Sequence, residues 1–405
     1  MPIQAKNNNI VELSIESVAF GGSGVGRCSG MICFVPYTLP GETVRAKIIQ
    51  EKKSFIVAEL IKVLTPSPER ITPACPFAGG VCPGCAYQHM RYDSELKIKD
   101  QQFRNFIGRL PGFDHGAFKP PVKSLKELYY RNKLALHASF DKDEKKLGYF
   151  MADNHSVLDI RHCPLASEAI NAKLESLRSD PGFSHSLRDG MTVTFRETAN
   201  DGVIFWRNSV PDKISWLKEN TACGKVSVPA GSFSQVNPSC RDALMLAVAD
   251  IIKAEKPETF IDLYCGSGLF AVAAAVAGVS RVIGADSDGP GIKAAEYNLS
   301  GLNAKSTFIA GDIAVTLPGI LKNIAPSGTV LAVDPPRTGL DEKVLNLLCS
   351  SKLNKIIYVS CAPDTLQRDL QTFCARGFRI ESAGIIDMFP RTAHFETITW
   401  LRRPQ

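Results

Sequence analysis

Five short apolar runs alternate with segments of helical character in the C-terminal half of the chain. They are Thr259–Tyr264, Arg281–Asp286, Ser306–Ala310, Thr329–Asp334 and Lys355–Cys361. A tight turn can join only antiparallel neighbours, whereas parallel strands require a crossover, usually a helix. The alternation therefore demands βαβ units on a mainly parallel sheet, with a last pair of strands near 379–387 and 394–401. The runs also share a polar exit: Asp286, Asp312, Asp334 and Cys361 all fall at carboxyl ends of predicted strands. That rim is where ligands bind in open α/β sheets, and packing gives no reason for four such residues on it.

The rest of the chain is built differently. Residues 8–65 alternate in short stretches broken at Gly21, Gly22, Gly24, Gly26 and Pro40-Gly41, and Pro66 and Pro68 close the pattern. Several strands at this spacing predict a small OB-like β-barrel. Residues 68–220 mix α and β character, and the pattern over 180–225 specifies no fold. The expected architecture is thus α/β with three domains: a barrel over 1–67, a central α+β domain over 68–220 and a Rossmann-like sheet over 221–405. A run of eighteen or more apolar residues is absent and the N-terminal MPIQAKNNNI lacks a signal pattern, so we expect a cytoplasmic protein without a membrane span. A monomer is the default. The 12 cysteines then have to be core residues, nucleophiles or metal ligands, because disulfides are disfavoured in a reducing compartment. Between Arg91 and Lys133, ten Lys/Arg face five Asp/Glu, interleaved with Phe103, Phe106, Phe118, Tyr129 and Tyr130. The pattern suits phosphate neutralisation beside base stacking, although a solvated face on a core helix is the commoner origin of such a run.

FIDLYCGSGLFAVAAAVAG (260–278) reads as strand, glycine loop and helix. Gly266 and Gly268 allow a tight turn and close approach of a ligand, with Tyr264 in the same loop. Asp286 ends the next strand, placed to accept the ribose hydroxyls of an adenosine. Asp312 could meet an adenine amino group. Because Gly266, Gly268 and Ala271 also satisfy a dinucleotide fingerprint, the loop alone leaves a nicotinamide or flavin open. Asp334 precedes Pro335 and Pro336, which make a rigid platform and not a helix start.

DLYCGSG, DPPRTG, YVSCAPDTLQRDL and HFET together resemble the RNA uracil-5-methyltransferase family, which uses S-adenosylmethionine. The resemblance implies that the barrel is a TRAM domain, that structured RNA is the partner, and that Cys361 adds to carbon 6 of uracil. Carbon 5 is too weak a nucleophile by itself; the thiolate adduct gives it carbanion character, and covalent catalysis splits one hard step into easier ones. Glu396 then corresponds to the proton acceptor and Asp334 to the residue that orients the uracil edge and touches the cofactor. In FSQVN, Gln235 corresponds to a cofactor contact, and Phe233 could stack a flipped-out base. One departure is Leu269, where the family often carries a polar residue. Cys265, Cys349 and Cys374 read as core thiols, and Arg368 with Asp369 as a helix-surface pair.

CPFAGGVCPGCAYQH supplies Cys75, Cys82 and Cys85, and Cys163 follows in RHCPL. A C-x2-C pair with a third cysteine nearby signals metal binding, and four thiolates suit zinc or an iron–sulfur centre. The resemblance favours a [4Fe–4S] cluster, with one residue more than the family's usual spacing between the first two ligands, at Gly79-Gly80. The implied function is methylation of carbon 5 of a uridine in 23S ribosomal RNA, with a transfer-RNA T-loop uridine as the alternative. Two readings of other classes stay open on the residues: an iron–sulfur oxidoreductase with a dinucleotide, which leaves Cys361, Asp334 and Glu396 without a task, and a non-catalytic RNA-binding protein.

Overall fold

A computed structural model describes residues 9–141, 144–211 and 216–404; most of the N-terminal stretch read for a signal pattern lies outside them. Strands β1 (Ile10–Val18), β2 (Ser23–Cys28), β3 (Met31–Pro36), β4 (Thr43–Glu51) and β5 (Phe55–Thr65) close into a barrel in the order β1-β2-β3-β5-β4. Its core is small: Leu13, Ile15, Cys33, Val35, Val44, Ala46, Ile56 and Ala58. Tight closure explains one of the glycines, since a Cβ on Gly26 would stand 2.3 Å from the Ser14 carbonyl oxygen.

Helix α1 (Tyr92–Ile107) follows, then β6 (Lys133–Asp141), β7 (Glu144–Phe150), β8 (Val157–Asp159), α2 (Glu168–Arg178), α3 (Pro181–Ser186), β9 (Thr192–Thr198) and β10 (Gly202–Arg207). The strands form an antiparallel sheet, β10-β9-β6-β7-β8, and β11 (Trp216–Thr221) pairs with β12 (Gly224–Pro229) in a separate ribbon. The described part of the stretch without a legible pattern thus holds α3 and antiparallel strands β9, β10 and β11.

The C-terminal half contains α4 (Pro238–Glu255), β13 (Thr259–Leu263), α5 (Leu269–Val276), β14 (Arg281–Asp286), α6 (Gly289–Leu299), β15 (Lys305–Ala310), α7 (Ile313–Lys322), β16 (Thr329–Val333), α8 (Glu342–Ser350), β17 (Lys355–Ser360), α9 (Pro363–Ala375), β18 (Arg379–Ile386) and β19 (Glu396–Arg402). The sheet order is β15-β14-β13-β16-β17-β19-β18, parallel except for β19, which is antiparallel to both neighbours. Alternate strand residues serve the two faces. Ile261, Leu263, Ile283, Leu331, Val333 and Tyr358 pack under α7, α8 and α9, whereas Phe260, Val282, Val330, Ala332 and Val359 meet α4 and α5. Successive crossovers run outward on either side of β13 and β16, so the crevice beyond their carboxyl ends is the topological switch point.

The basic stretch resolves against phosphate binding for several of its members. Phe103 is fully buried and Tyr130 nearly so. Lys99 is also fully buried, between Glu95 and Asp387 at 2.7 and 2.8 Å. Helix α1 packs on the C-terminal sheet beside α9, so its charges and rings fill an interface, while Lys97, Lys123 and Lys126 remain exposed.

A second buried ion cluster joins the central sheet to the C-terminal half: Glu219 on β11 receives Arg196 of β9 and Arg241 of α4. Removing one member of a buried ion pair leaves a desolvated charge and costs about 3–5 kcal/mol. Glu219→Ala is expected to lower unfolding stability by about that amount in a urea titration. A loss under about 1 kcal/mol would mean that the two guanidinium groups find other partners.

Candidate active site

Three strand ends make the site. Ser360 closes β17, paired with Thr397 of β19, and Thr397 Oγ1 donates to the Ser360 carbonyl at 2.9 Å. Cys361 and Glu396 are the next residues beyond this last pair, and the Glu396 carboxyl lies near enough to raise the Cys361 thiol. On the parallel side, Leu263 is level with Val333, which makes Tyr264 and Asp334 neighbours; the Asp334 N–H donates to Leu263 at 3.3 Å. Cys361, Glu396, Asp334 and Tyr264 thus share one rim because main-chain registers align them. Pro335 and Pro336 start no helix, and α8 begins only at Glu342.

The electrostatics are those of crowded acids. Burial first, then Asp286, pushes Asp334 up to about 7. Burial raises Glu396 well above the usual carboxyl range, Asp334 adds to this and the Arg337 guanidinium opposes it. Cys361 rises to about 11 through burial, Glu396 and Asp334, again with Arg337 opposing. Glu396 is 4% exposed and its Oε2 has no hydrogen-bond partner. A rim of mutually repelling acids favours an incoming cation.

The glycine loop has separable parts. Tyr264 and Gly266 sit at φ +62° and +50°, and a Cβ on Gly266 would meet nothing within 4 Å, which leaves that approach open. Gly268 behaves differently from the expected cofactor contact. At φ +78° it precedes α5, and a Cβ there would lie 2.9 Å from that of Ala295, so its bareness packs the loop onto α6. Asp286 accepts from the Gly266 N–H at 2.7 Å and from the Asp288 N–H at 2.8 Å, which fixes the loop while leaving lone pairs free. Asp312 is exposed and caps α7 through the Ala314 N–H. One cavity is lined by Phe233, Gln235, Tyr264, Gly266, Ser267 and Asp334 among others; Asp286 and Asp312 lie at neighbouring strand ends outside it. Gln235 is buried with Oε1 unpartnered, as is Ser267 Oγ, while Phe233 is 72% exposed. Leu269 packs into the apolar cluster, and the loop's free hydroxyl is that of Ser267. Unpaired acceptors beside a cation-favouring rim fit the charged, donor-bearing S-adenosylmethionine.

Sequence reasoning missed Asp262, fully desolvated in β13, with Oδ2 accepting from the Ala271 N–H at 3.0 Å and Oδ1 free. An aspartate inside TFIDL was the available signal. It also missed Arg337, directly after the two prolines. Asp369 is corrected: it is no surface residue but fully buried, accepting from the Leu340 N–H at 2.8 Å and the Tyr358 hydroxyl at 2.7 Å.

The four expected ligands, Cys75, Cys82, Cys85 and Cys163, line a common cavity with Gln88 and Tyr149. Gln88 spans it, accepting from the Cys75 N–H at 3.0 Å and donating to Cys85 Sγ at 3.1 Å. Burial, with the other thiols adding, pushes Cys85 up to about 12. Gly79 and Gly80 take φ +108° and +120°, so the extra residue falls where backbone freedom absorbs it. Among the described residues no three His, Cys, Asp or Glu side chains stand close enough to hold one metal ion. The expected ligand set is thus a shared cavity and not a formed coordination sphere.

Three comparisons bear on this geometry. The tRNA (uracil-5-)-methyltransferase family matches residues 318–404, which contain Asp334, Cys361 and Glu396. The TRAM domain matches residues 4–61, and the ribosomal protein L11 methyltransferase family matches 243–325. An uncharacterized RNA methyltransferase of Listeria monocytogenes is 30% identical, covering 98% of both chains. The chain belongs to the RNA uracil-5-methyltransferase family. Another relative in this family, an uncharacterized RNA methyltransferase of Protochlamydia amoebophila, is 30% identical over 97% of this chain and 98% of its own. The fold is shared with Pyrococcus abyssi tRNA (uracil-54, C5)-methyltransferase, solved with S-adenosyl-L-homocysteine, at TM-score 0.72 and 22% identity over 96% of this chain and all of that one. Membership settles the class against the oxidoreductase. The N-terminal barrel is a TRAM domain, RNA is the substrate class, and S-adenosylmethionine the methyl donor.

Proposed function

We propose that the enzyme methylates carbon 5 of a uridine in 23S ribosomal RNA, with Cys361 as nucleophile and Glu396 as general base. The observation that carries this reading is that Cys361, Glu396 and Asp334 meet at one strand-end rim, beyond the Ser360–Thr397 pair, where both carboxyls act on the Cys361 thiol. Gln235, Tyr264, Gly266, Asp286 and Asp334 would hold S-adenosylmethionine, which would supply an electrophilic methyl group and leave as S-adenosylhomocysteine. The target base, turned out of its stack, rests against exposed Phe233 while Asp334 orients its edge. The Cys361 thiolate adds to carbon 6, and carbon 5 gains the methyl group. Glu396 takes the carbon 5 proton, the carbon 6–sulfur bond breaks, and the thiolate returns. Glu396 has to be ionised to do this, and a cation beside the acid cluster lowers all three acids.

Cys75, Cys82, Cys85 and Cys163 would hold a [4Fe–4S] cluster with a structural or RNA-positioning role, since methyl transfer involves no electron change. Four thiols around one cavity support it. Barrel and cysteine set together favour ribosomal RNA; the description of the matching family favours a transfer-RNA uridine as the second reading.

The deciding experiment compares 5-methyluridine in ribosomal and transfer RNA from a deletion strain and its parent by nuclease digestion and mass spectrometry. Loss from 23S RNA is the expected result. Loss from transfer RNA alone would move the substrate, and loss from neither would overturn the function.

The raised Cys361 thiol also sets a pH dependence. Below its pKa the thiolate fraction grows about tenfold per pH unit. Iodoacetamide labelling of the peptide carrying Cys361 in cofactor-free enzyme is therefore expected to accelerate about tenfold per unit from pH 7 to 9. Levelling off near pH 9 would place the thiol near its ordinary value, and a plateau below pH 8 would place it lower still.

A further inference from the structure

The loop from Asp387 to Phe395 leads from β18 straight into Glu396, and it is clamped residue by residue from outside its own hairpin. Asp387 accepts from Lys99 Nζ at 2.8 Å, and its carbonyl accepts from Cys240 Sγ at 3.2 Å. The carbonyls of Met388, Phe389 and Pro390 accept from Asn237 Nδ2 at 3.2 Å, Lys99 Nζ at 3.1 Å and the Tyr130 hydroxyl at 3.0 Å. Arg391 is the strongest tie. It is 3% exposed and sits at φ +69°, a left-handed conformation in which a non-glycine residue is strained.

Arg391 uses nearly all its polar groups on distant chain. Its N–H donates to Glu95 Oε1 at 2.6 Å, and its carbonyl accepts from the N–H groups of Ala86 and Tyr87 at 2.9 and 3.1 Å. Its guanidinium donates to the Met90 carbonyl at 2.7 Å and to Glu95 and Glu127. Ala86 and Tyr87 directly follow Cys85, so the tie runs from the cysteine-bearing loop and α1 to a point five residues before Glu396. The Glu396 carboxyl has one oxygen without any partner to orient it. Its position must therefore come from its backbone, held by the β17 and β18 ladders on one side and by this loop on the other.

We propose that Arg391 is a positioning residue for the catalytic base: it fixes the 387–395 loop so that Glu396 reaches the proton on carbon 5. This rests on the covalent reading above. Misplacing the base slows proton removal, the step after methyl transfer, and spares thiolate addition and cofactor binding. The intermediate that accumulates is a 5-methylated uracil still joined through carbon 6 to Cys361.

The test uses full-length holoprotein carrying Arg391→Lys, which keeps the cation but loses the planar fork, or Arg391→Gly, which suits the positive φ and removes the side chain. Wild-type enzyme on 5-fluorouridine RNA must first trap an adduct; if it does not, the covalent reading fails and not the positioning. On ordinary RNA both variants are expected to lose about 10- to 100-fold in kcat, to accumulate a denaturant-stable protein–RNA complex bearing methylated uridine, and to keep the wild-type thermal shift with S-adenosylhomocysteine. A kcat within twofold of wild type overturns the proposal. So does loss of adduct formation or of the thermal shift together with turnover in both variants, since Arg391 would then hold the fold and not the base.

Discussion

Cys361→Ala is expected to abolish methylation while S-adenosylhomocysteine still raises the melting temperature and RNA still binds. Removing a nucleophile typically costs about 10⁴- to 10⁶-fold in kcat, and here no neighbour can substitute. Ser360, the adjacent hydroxyl, is turned inward: its Oγ accepts from the Ala362 N–H at 3.1 Å and donates to the Ala362 carbonyl at 3.2 Å, which holds the turn before α9. Cys265 is buried under the loop, with its thiol raised well above the usual range, chiefly by burial. The variant should also fail to form any denaturant-stable complex with 5-fluorouridine RNA, which the covalent mechanism expects of wild type because fluorine cannot leave as a proton does. Residual turnover above about one part in a thousand, or an adduct formed without Cys361, would remove the thiol from the mechanism.

Glu396→Gln should give the opposite signature. The amide is nearly isosteric, so the buried position tolerates it, but it cannot take a proton. General-base catalysis is worth about 10²- to 10⁴-fold, and that loss falls on proton removal alone. Methyl transfer then runs once per enzyme and stalls, so the complex isolated on ordinary RNA carries one methyl group per bound uridine. Single-turnover transfer from labelled cofactor should proceed near the wild-type rate while multiple turnover collapses. If transfer itself slows as much as turnover, Glu396 acts earlier in the reaction and another group takes the proton.

The parallel sheet was legible because apolar runs at crossover spacing admit few other solutions, and the rim because each run ended in a polar residue. Register did the rest: nothing in the sequence says that Ser360 pairs with Thr397, yet that pairing brings Cys361 and Glu396 to one strand end. The failures have a common physical origin in buried charge. Lys99, Glu95 and Asp369 look like surface residues in a linear reading, since a charged side chain is ordinarily exposed; only tertiary pairing shows that each is enclosed. Strands β9 to β12 escaped notice because they are six or seven residues long and mix charged with apolar positions, as in WLKENT. Gly268 was legible as a glycine but not in its purpose, which depends on Ala295 of the following helix.

The crowding that raises Cys361 to about 11 also governs the enzyme at rest. At pH 7 about one such thiol in 10⁴ is ionised. Oxidants and alkylating agents attack thiolates, not thiols. Cys361 in the idle enzyme is consequently expected to react slowly with peroxide, and its sensitivity should rise once a cation stands beside the acid cluster. If Cys361 is the nucleophile, its burial holds that reactivity in reserve until the methyl donor arrives.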